Sequence, residues 1–233
     1  MKKAYLIAIG MFLISTDVVV KLIYEVIKFF GGTLRIGIAY SEPILDAGIR
    51  IFGKTLIAKG WMNDYLSPEV ILTILGYILI AYGAWSLRSY GRRMTIAANG
   101  SIAAGITYIV FKLIPFGLEQ ERLLVPLFIL ILLRVLFDSI TYYSIAKGMA
   151  KQVDGYLYME LEKDLMFGFQ LYLLSAIVMN ILAVGRSIDL VQIFYIAALL
   201  FAVGASIYYP ARMYRYCIKL KIFDEKVKMG TDV

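Results

Sequence analysis

The feature that most constrains this chain is the recurrence of apolar runs about as long as a membrane is thick. A helix needs about 20 mostly apolar residues to cross roughly 30 Å of hydrocarbon. Five segments meet this requirement, and a sixth, near the N-terminus, meets it if the charges in its second half are tolerated. The five are residues 69–88, 95–115, 123–145, 165–185 and 189–210, and the sixth is 4–27. The sequence therefore predicts an all-α, polytopic integral membrane protein with six spans in a single membrane domain, residues 1–233.

The composition also indicates a membrane protein. Hydrophobic residues make up 61% of the 233 residues and charged residues only 18%, which leaves more apolar surface than a soluble domain of this size can bury. A formal charge of +7 would suggest nucleic-acid binding in a soluble protein, but these basic residues cluster between the apolar runs. We therefore expect the lipid bilayer to be the main partner, and no nucleic acid.

The distribution of Lys and Arg predicts the orientation, because short basic connections stay in the cytoplasm. One side of a six-span arrangement collects most of them: Lys2, Lys3, Arg88, Arg92, Arg93, Lys147, Lys151, Lys163 and the basic tail 211–233. The opposite side has Lys112, Arg122 and Arg186. This asymmetry predicts a multi-pass cell-membrane protein with both termini in the cytoplasm.

The connection after the first span, residues 31–66, combines charges with an apolar helical pattern. Its apolar positions recur at intervals of three and four residues, at Leu45, Ile49, Phe52 and Leu56. This pattern predicts an amphipathic helix that lies in the outer membrane interface. A re-entrant segment is the alternative.

Local signals predict where individual elements begin and end. Ser67-Pro68-Glu69 combines a capping residue, a first-turn proline and a first-turn acid, which predicts a helix start. Pro210 predicts the end of the last span. The acidic residues after the fourth span are interpreted as a solvated loop and not as a metal site; they are Asp154, Glu160, Glu162 and Asp164.

Charged side chains inside the predicted spans are the candidate functional residues. An arginine at the centre of a bilayer costs about 2.5–3.5 kcal/mol and needs a partner inside the bundle. Arg134 lies deep in the fourth span, and Asp138 follows it by one helical turn. The first span has a charged stripe that consists of Asp17, Lys21, Glu25 and Lys28. Because the first span runs outward and the fourth inward, Asp17 and Arg134 reach similar depths, and we expect an ion pair between them.

Other polar residues within the spans can extend this interior, and they are Asn99, Thr107, Lys112, Gln170, Asn180 and Gln192. The predicted buried polar core is Asp17, Lys21, Arg134, Asp138 and Asn180. A face of small residues on the third span, formed by Ala97, Ser101 and Gly105, predicts close helix packing, either in this bundle or against another subunit. Most tyrosines are interpreted as interfacial anchors near span ends.

Signatures of enzymes and cofactors are missing from the sequence. The chain has no histidine and a single cysteine, Cys217, which excludes histidine-ligated haem and zinc sites built from cysteine and histidine. It also lacks a Walker loop, GxSxG and HExxH. We therefore expect neither a metal nor a cofactor, and the sequence favours a function other than catalysis.

Two functional hypotheses fit these features. The first is a small membrane transporter, channel or substrate-binding component, whose charged core handles a small polar solute, an ion or a proton. The alternative is a non-catalytic subunit of a larger membrane complex, or of a homo-oligomer, in which the charges only hold helices together. A lipid-modifying enzyme that binds a phosphate headgroup through Arg92, Arg93 and Arg212 ranks third, because no base or nucleophile accompanies those arginines.

Overall fold

The described part of the chain is entirely helical. This computed structural model describes residues 4–29, 68–113, 120–150, 156–184 and 189–228, and these ranges contain no strand. The helices are α1 (Ala4–Phe29), α2 (Pro68–Ser86), α3 (Arg92–Leu113), α4 (Gln120–Ala150), α5 (Tyr156–Val184) and α6 (Asp189–Lys228), with a 3-10 turn at Arg88–Tyr90. The all-α class is confirmed, and α2 begins at Pro68 as its capping motif predicts. The predicted amphipathic segment, 31–66, lies outside the described residues.

Several of these helices have the length and apolar character of membrane spans. The described residues contain five candidate spans: Ala4–Ile27, Glu69–Ser86, Arg92–Phe111, Ile129–Met149 and Ile193–Lys219. Large apolar side chains such as Ile78, Leu136 and Ile181 are more than half exposed on the outside of the bundle. Apolar surface on this scale belongs in lipid and not in water. The structure is therefore compatible with a multi-pass helical membrane protein.

The six helices form a closed ring. Each helix packs against its neighbours in the chain, and α6 returns to pack against α1. In a ring of six members in this order, α1 lies opposite α4. Side chains from these two helices can meet only through the interior of the ring, and this is where the charged residues converge.

A pair of glycines allows α1 and α2 to cross at short distance. A Cβ atom built on Gly10 would lie 2.5 Å from the carbonyl oxygen of Gly76, and one built on Gly76 would lie 2.6 Å from that of Gly10. No side chain fits at either position. Glycine on both helices therefore permits the backbone contact that stabilises this side of the ring.

The small-residue face of α3 packs within the chain. Ala97 is fully buried, and the buried Ser101 donates a hydrogen bond from Oγ to the carbonyl oxygen of Tyr77, at 2.9 Å. A Cβ on Gly105 would lie 3.1 Å from the Cβ of Tyr77, and one on Gly100 would lie 2.6 Å from Oγ1 of Thr141 on α4. This part of α3 therefore fits between α2 and α4.

The prediction that the last helix ends at Pro210 is wrong, because α6 continues through this proline to Lys228. A proline inside a helix removes one backbone hydrogen bond and crowds the preceding turn. Here tertiary contacts hold the helix on both sides of it. The hydroxyl of Tyr209 donates a hydrogen bond to the carbonyl oxygen of Tyr142 at 2.8 Å. The hydroxyl of Tyr216 donates one to the carbonyl oxygen of Met149 at 2.7 Å. Most of the predicted tail 211–233 is thus a continuation of α6.

The prediction of a loop is wrong for Glu160, Glu162 and Asp164, because α5 already begins at Tyr156, whereas Asp154 lies outside the described residues. Two acids of α5 make ion pairs with neighbouring helices. Glu162 pairs with Lys147 of α4, and Asp164 accepts a hydrogen bond from Nη1 of Arg212 on α6 at 2.9 Å. These pairs join α4, α5 and α6.

Candidate functional site

Four charged side chains of alternating sign form a row inside the ring. The Nζ atom of Lys21 lies 3.0 Å from Oδ2 of Asp17 on the same helix. Across the ring, Nη1 of Arg134 lies 3.4 Å from the same Asp17 oxygen, and its Nε lies 3.7 Å from Oδ2 of Asp138. The structure therefore brings together α1 and α4, the two helices that are opposite each other, through Asp17 and Arg134. The row has no net charge.

The two carboxylates are deeply buried, whereas the cations are partly accessible. Asp17 and Asp138 are each 2% exposed. The side chain of Arg134 is 18% exposed and that of Lys21 is 41% exposed. A buried carboxylate is strongly unfavourable without a counter-charge and hydrogen-bond donors. Each acid here has a cation beside it, and Asp138 also has two hydroxyl donors.

Those donors are tyrosines from two further helices. Tyr77 of α2 directs its hydroxyl at the carboxylate of Asp138, at 3.0 Å from Oδ1 and 3.2 Å from Oδ2. The same hydroxyl oxygen accepts a hydrogen bond from Nε of Arg134 at 3.2 Å. Tyr172 of α5 donates to Oδ2 of Asp138 at 3.0 Å. Tyr77 thus bridges the arginine and the aspartate, and Tyr172 holds the aspartate from the other side.

An aromatic ring completes the surroundings of the arginine. The guanidinium carbon of Arg134 lies 4.5 Å from the ring centroid of Tyr108 on α3, which is a cation–π distance. Five helices, α1 to α5, therefore each contribute at least one side chain to a single cluster. We call it the charged cluster; it consists of Asp17, Lys21, Tyr77, Tyr108, Arg134, Asp138 and Tyr172.

Two cavities lie on either side of Arg134. The larger has a volume of about 120 Å³, and its lining includes Asp17, Lys21, Asp138 and Ser175. The smaller has a volume of about 30 Å³ and is lined at its far end by Tyr142, Tyr209 and Pro210. Both have Val18, Arg134, Tyr172 and Ser206 in their walls. Arg134 and these three neighbours therefore separate two spaces in the interior of the ring.

Packed tyrosines form part of the wall of the smaller cavity. The ring of Tyr142 lies 4.6 Å from that of Tyr172 and 5.5 Å from that of Tyr209, measured between centroids. Both distances are typical of favourable aromatic pairs. The larger cavity is different, since it is lined by Lys21, whose side chain is substantially exposed. Lys21 is thus the most exposed member of the charged row.

Several polar residues predicted as possible lining do not reach this interior. Asn99 and Gln170 are exposed on the outside of the bundle, so the prediction is wrong for both. Thr107 is buried, but its hydroxyl donates to the carbonyl oxygen of Ala103 in its own helix at 2.8 Å. Asn180 lies on α5, and its side chain falls outside the described residues, as do those of Lys112 and Gln192.

Sequence reasoning missed the tyrosines of the cluster. The interfacial explanation applies to a tyrosine near a span end, yet Tyr77 lies near the middle of the span Glu69–Ser86. Tyr172 likewise lies near the middle of α5. A phenol in the centre of an apolar span needs a hydrogen-bond partner. This requirement could have identified Tyr77 and Tyr172 from the sequence as members of a buried polar cluster.

Comparison with known proteins gives no relative for this chain. It matches no protein-family model, and neither the curated proteins nor the solved structures contain a significant match. Its function must therefore be inferred from the chemistry of the charged cluster.

The Tyr77 hydroxyl provides a test of how the cluster is held together. Tyr77→Phe removes a donor to Asp138 and an acceptor for Arg134, so it leaves buried charged groups less well satisfied. We expect the free energy of unfolding in detergent to fall by about 1–3 kcal/mol. Tyr143→Phe is the matched control, because Tyr143 is exposed and lies outside the charged cluster, and we expect a change within about 0.5 kcal/mol. Equal losses in the two variants would contradict the bridging role of Tyr77.

Proposed function

We propose that the protein is a small membrane transporter, channel or solute-binding component that handles a small polar solute, an ion or a proton. The observation that carries this proposal is the pair of cavities that meet at Arg134 inside the ring. A buried row of charges with space on both sides is the arrangement expected of a polar path. Ionisable groups at membrane depth commonly mark such paths.

The geometry of Arg134 favours a polar path over ion pairs that serve only to hold the helices together. A tight charge-assisted hydrogen bond between nitrogen and oxygen is about 2.7–2.9 Å long. Arg134 instead lies 3.4 Å from Asp17 and 3.7 Å from Asp138, so two carboxylates share it and neither binds it tightly. A polar solute in the larger cavity can therefore reach Arg134 and offer it a contact in place of one of these acids.

The alternative is a non-catalytic subunit of a larger membrane complex, in which the charges fix the register of the helices. One support for it in the sequence was the small-residue face of α3, which predicts close packing either in this bundle or against another subunit. Ser101 and Gly105 on this face contact α2 within the chain. The transport proposal therefore has the stronger structural support.

The proposal includes six spans with both termini in the cytoplasm. The added span is α5, whose residues 165–184 contain no charged side chain. The contact of α6 with α1 supports the same arrangement, because closing the ring places α5 among the spans. Residues 31–66, by this proposal, lie at the outer interface or re-enter the membrane.

Cysteine labelling tests the six-span topology. Ser89 lies between α2 and α3, and Ser187 between α5 and α6, so three crossings separate the two positions. In a Cys217→Ser background, we expect Ser187→Cys to react with an impermeant maleimide in intact cells. We expect Ser89→Cys to react only after the membrane is opened. Labelling of both from the same side would contradict a crossing by α5, and the reverse pattern would contradict the orientation.

Flux through reconstituted protein tests the function. Proteoliposomes are assayed for protons, Na⁺, K⁺, Cl⁻ and a panel of small polar solutes. We expect at least one of these to cross faster than in protein-free liposomes, and Arg134→Leu or Asp17→Asn to slow it at least tenfold. A tenfold fall in rate corresponds to a rise of about 1.4 kcal/mol in the free-energy barrier to transport.

Two exposed polar residues provide matched controls for this experiment. Asn99→Leu and Gln170→Leu also remove polar groups from helices in the bundle, but both side chains lie outside the ring. We expect these variants to keep the wild-type rate. If wild-type protein conducts nothing in the panel, or if Arg134→Leu conducts as well as the controls, the transport proposal fails and the subunit alternative is favoured.

A further inference from the structure

A second feature lies on the outside of the ring, away from the charged cluster. A groove of about 440 Å³ follows the junction of α2 and α3, and almost all of its lining is apolar. Its walls include the exposed side chains of Ile78, Tyr82, Trp85 and Ile102. The groove lies within the range of roughly 300–1,000 Å³ that is typical of small-molecule sites. We refer to it as the α2–α3 groove.

The α2–α3 groove has a cationic end. Residues 87–93, which comprise the connection between the two helices and the first two residues of α3, contain three arginines and no acid. The guanidinium carbon of Arg88 lies 5.2 Å from the ring centroid of Trp85, which lines the groove, and Arg92 is exposed at the start of α3. Among the residues that the structure describes, neither Arg88 nor Arg92 has a carboxylate within ion-pairing distance. Arg93 is directed elsewhere, towards the ring of Tyr143.

The length of the groove matches one leaflet of a bilayer. Along α3 its lining runs from Ala98 to Ile109, which is about 16 Å at 1.5 Å per residue. Half of the roughly 30 Å hydrocarbon core is about 15 Å. The aromatic side chains of Tyr82 and Trp85 lie near the cationic end, where a headgroup region favours them. An acyl chain that fills the groove would therefore place its headgroup beside the arginines.

We propose that the α2–α3 groove binds one anionic phospholipid from the leaflet that faces the α2–α3 connection. An acyl chain occupies the groove, and the phosphate accepts hydrogen bonds from Arg88 and Arg92. Arginine suits this role because its planar guanidinium binds phosphate oxygens with two parallel donors. The inference is independent of the proposed transport function.

Native mass spectrometry of the whole protein in mild detergent tests this site. The probes are phosphatidylglycerol and phosphatidylcholine with identical acyl chains, added in equal amounts. We expect the wild type to retain one phosphatidylglycerol in preference to phosphatidylcholine. We expect the preference to fall roughly fivefold for each arginine removed, in Arg88→Gln and in the Arg88→Gln, Arg92→Gln double variant. Arg215→Gln, at an exposed position on α6, is the control and should leave the preference unchanged.

A second pair of variants tests the groove itself. Ala81→Phe fills the groove from α2, and we expect it to remove the bound lipid whatever its headgroup. Ala197→Phe places the same ring on the exposed face of α6 and should not affect binding. Equal retention of the two lipids by the wild type would overturn the proposal, as would a preference that survives removal of both arginines. A lipid-free dimer that Ala81→Phe converts to monomer would also overturn it, and would assign the groove to a second copy of the chain.

Discussion

The structure depends on the need to pair Arg134, a permanently charged side chain inside a ring of apolar helices. Asp17 meets part of that need from the opposite side of the ring, at 3.4 Å, and Asp138 meets another part from one turn away, at 3.7 Å. Losing one partner of such a buried pair typically costs about 3–5 kcal/mol. A cost of this size links the position of α1 to that of α4, although the two helices are not neighbours in the ring.

Around this interaction, the helices pack closely at their crossings, whereas the interior of the ring contains cavities. Gly10 and Gly76 bring α1 and α2 into backbone contact, and Ser101 and Gly105 fit α3 against α2. Around Arg134, by contrast, the lining leaves space on both sides. Tight contact at the helix crossings and space at the charges are consistent with a rigid frame around a polar interior, which supports the proposed transport role.

Much of the fold could be predicted from the sequence, because membrane spans depend on properties that single residues carry. The length of the apolar runs predicted the helices, and the capping motif at Pro68 predicted the start of α2. The opposite directions of the first and fourth spans were enough to bring Asp17 and Arg134 to similar depths. This prediction needed only helix geometry and the cost of an unpaired charge.

What the sequence could not supply depends on which face of each helix is turned inward. Tyr77 and Asn99 are both polar residues within apolar spans, yet one contacts Asp138 and the other is exposed on the outside. Their positions are decided by packing between helices, which a single sequence does not record. Pro210 shows the same limit, since contacts of Tyr209 and Tyr216 with α4 outweigh a local signal for termination.

The most direct test of the central claim is a double-mutant cycle on the free energy of unfolding in detergent, with Asp17→Asn, Arg134→Gln and their combination. If the two side chains form the pairing interaction across the ring, the double variant loses less stability than the sum of the single variants. We expect a coupling of about 1–3 kcal/mol. Losses that add to within about 0.5 kcal/mol would show that Asp17 and Arg134 act independently and would contradict the account.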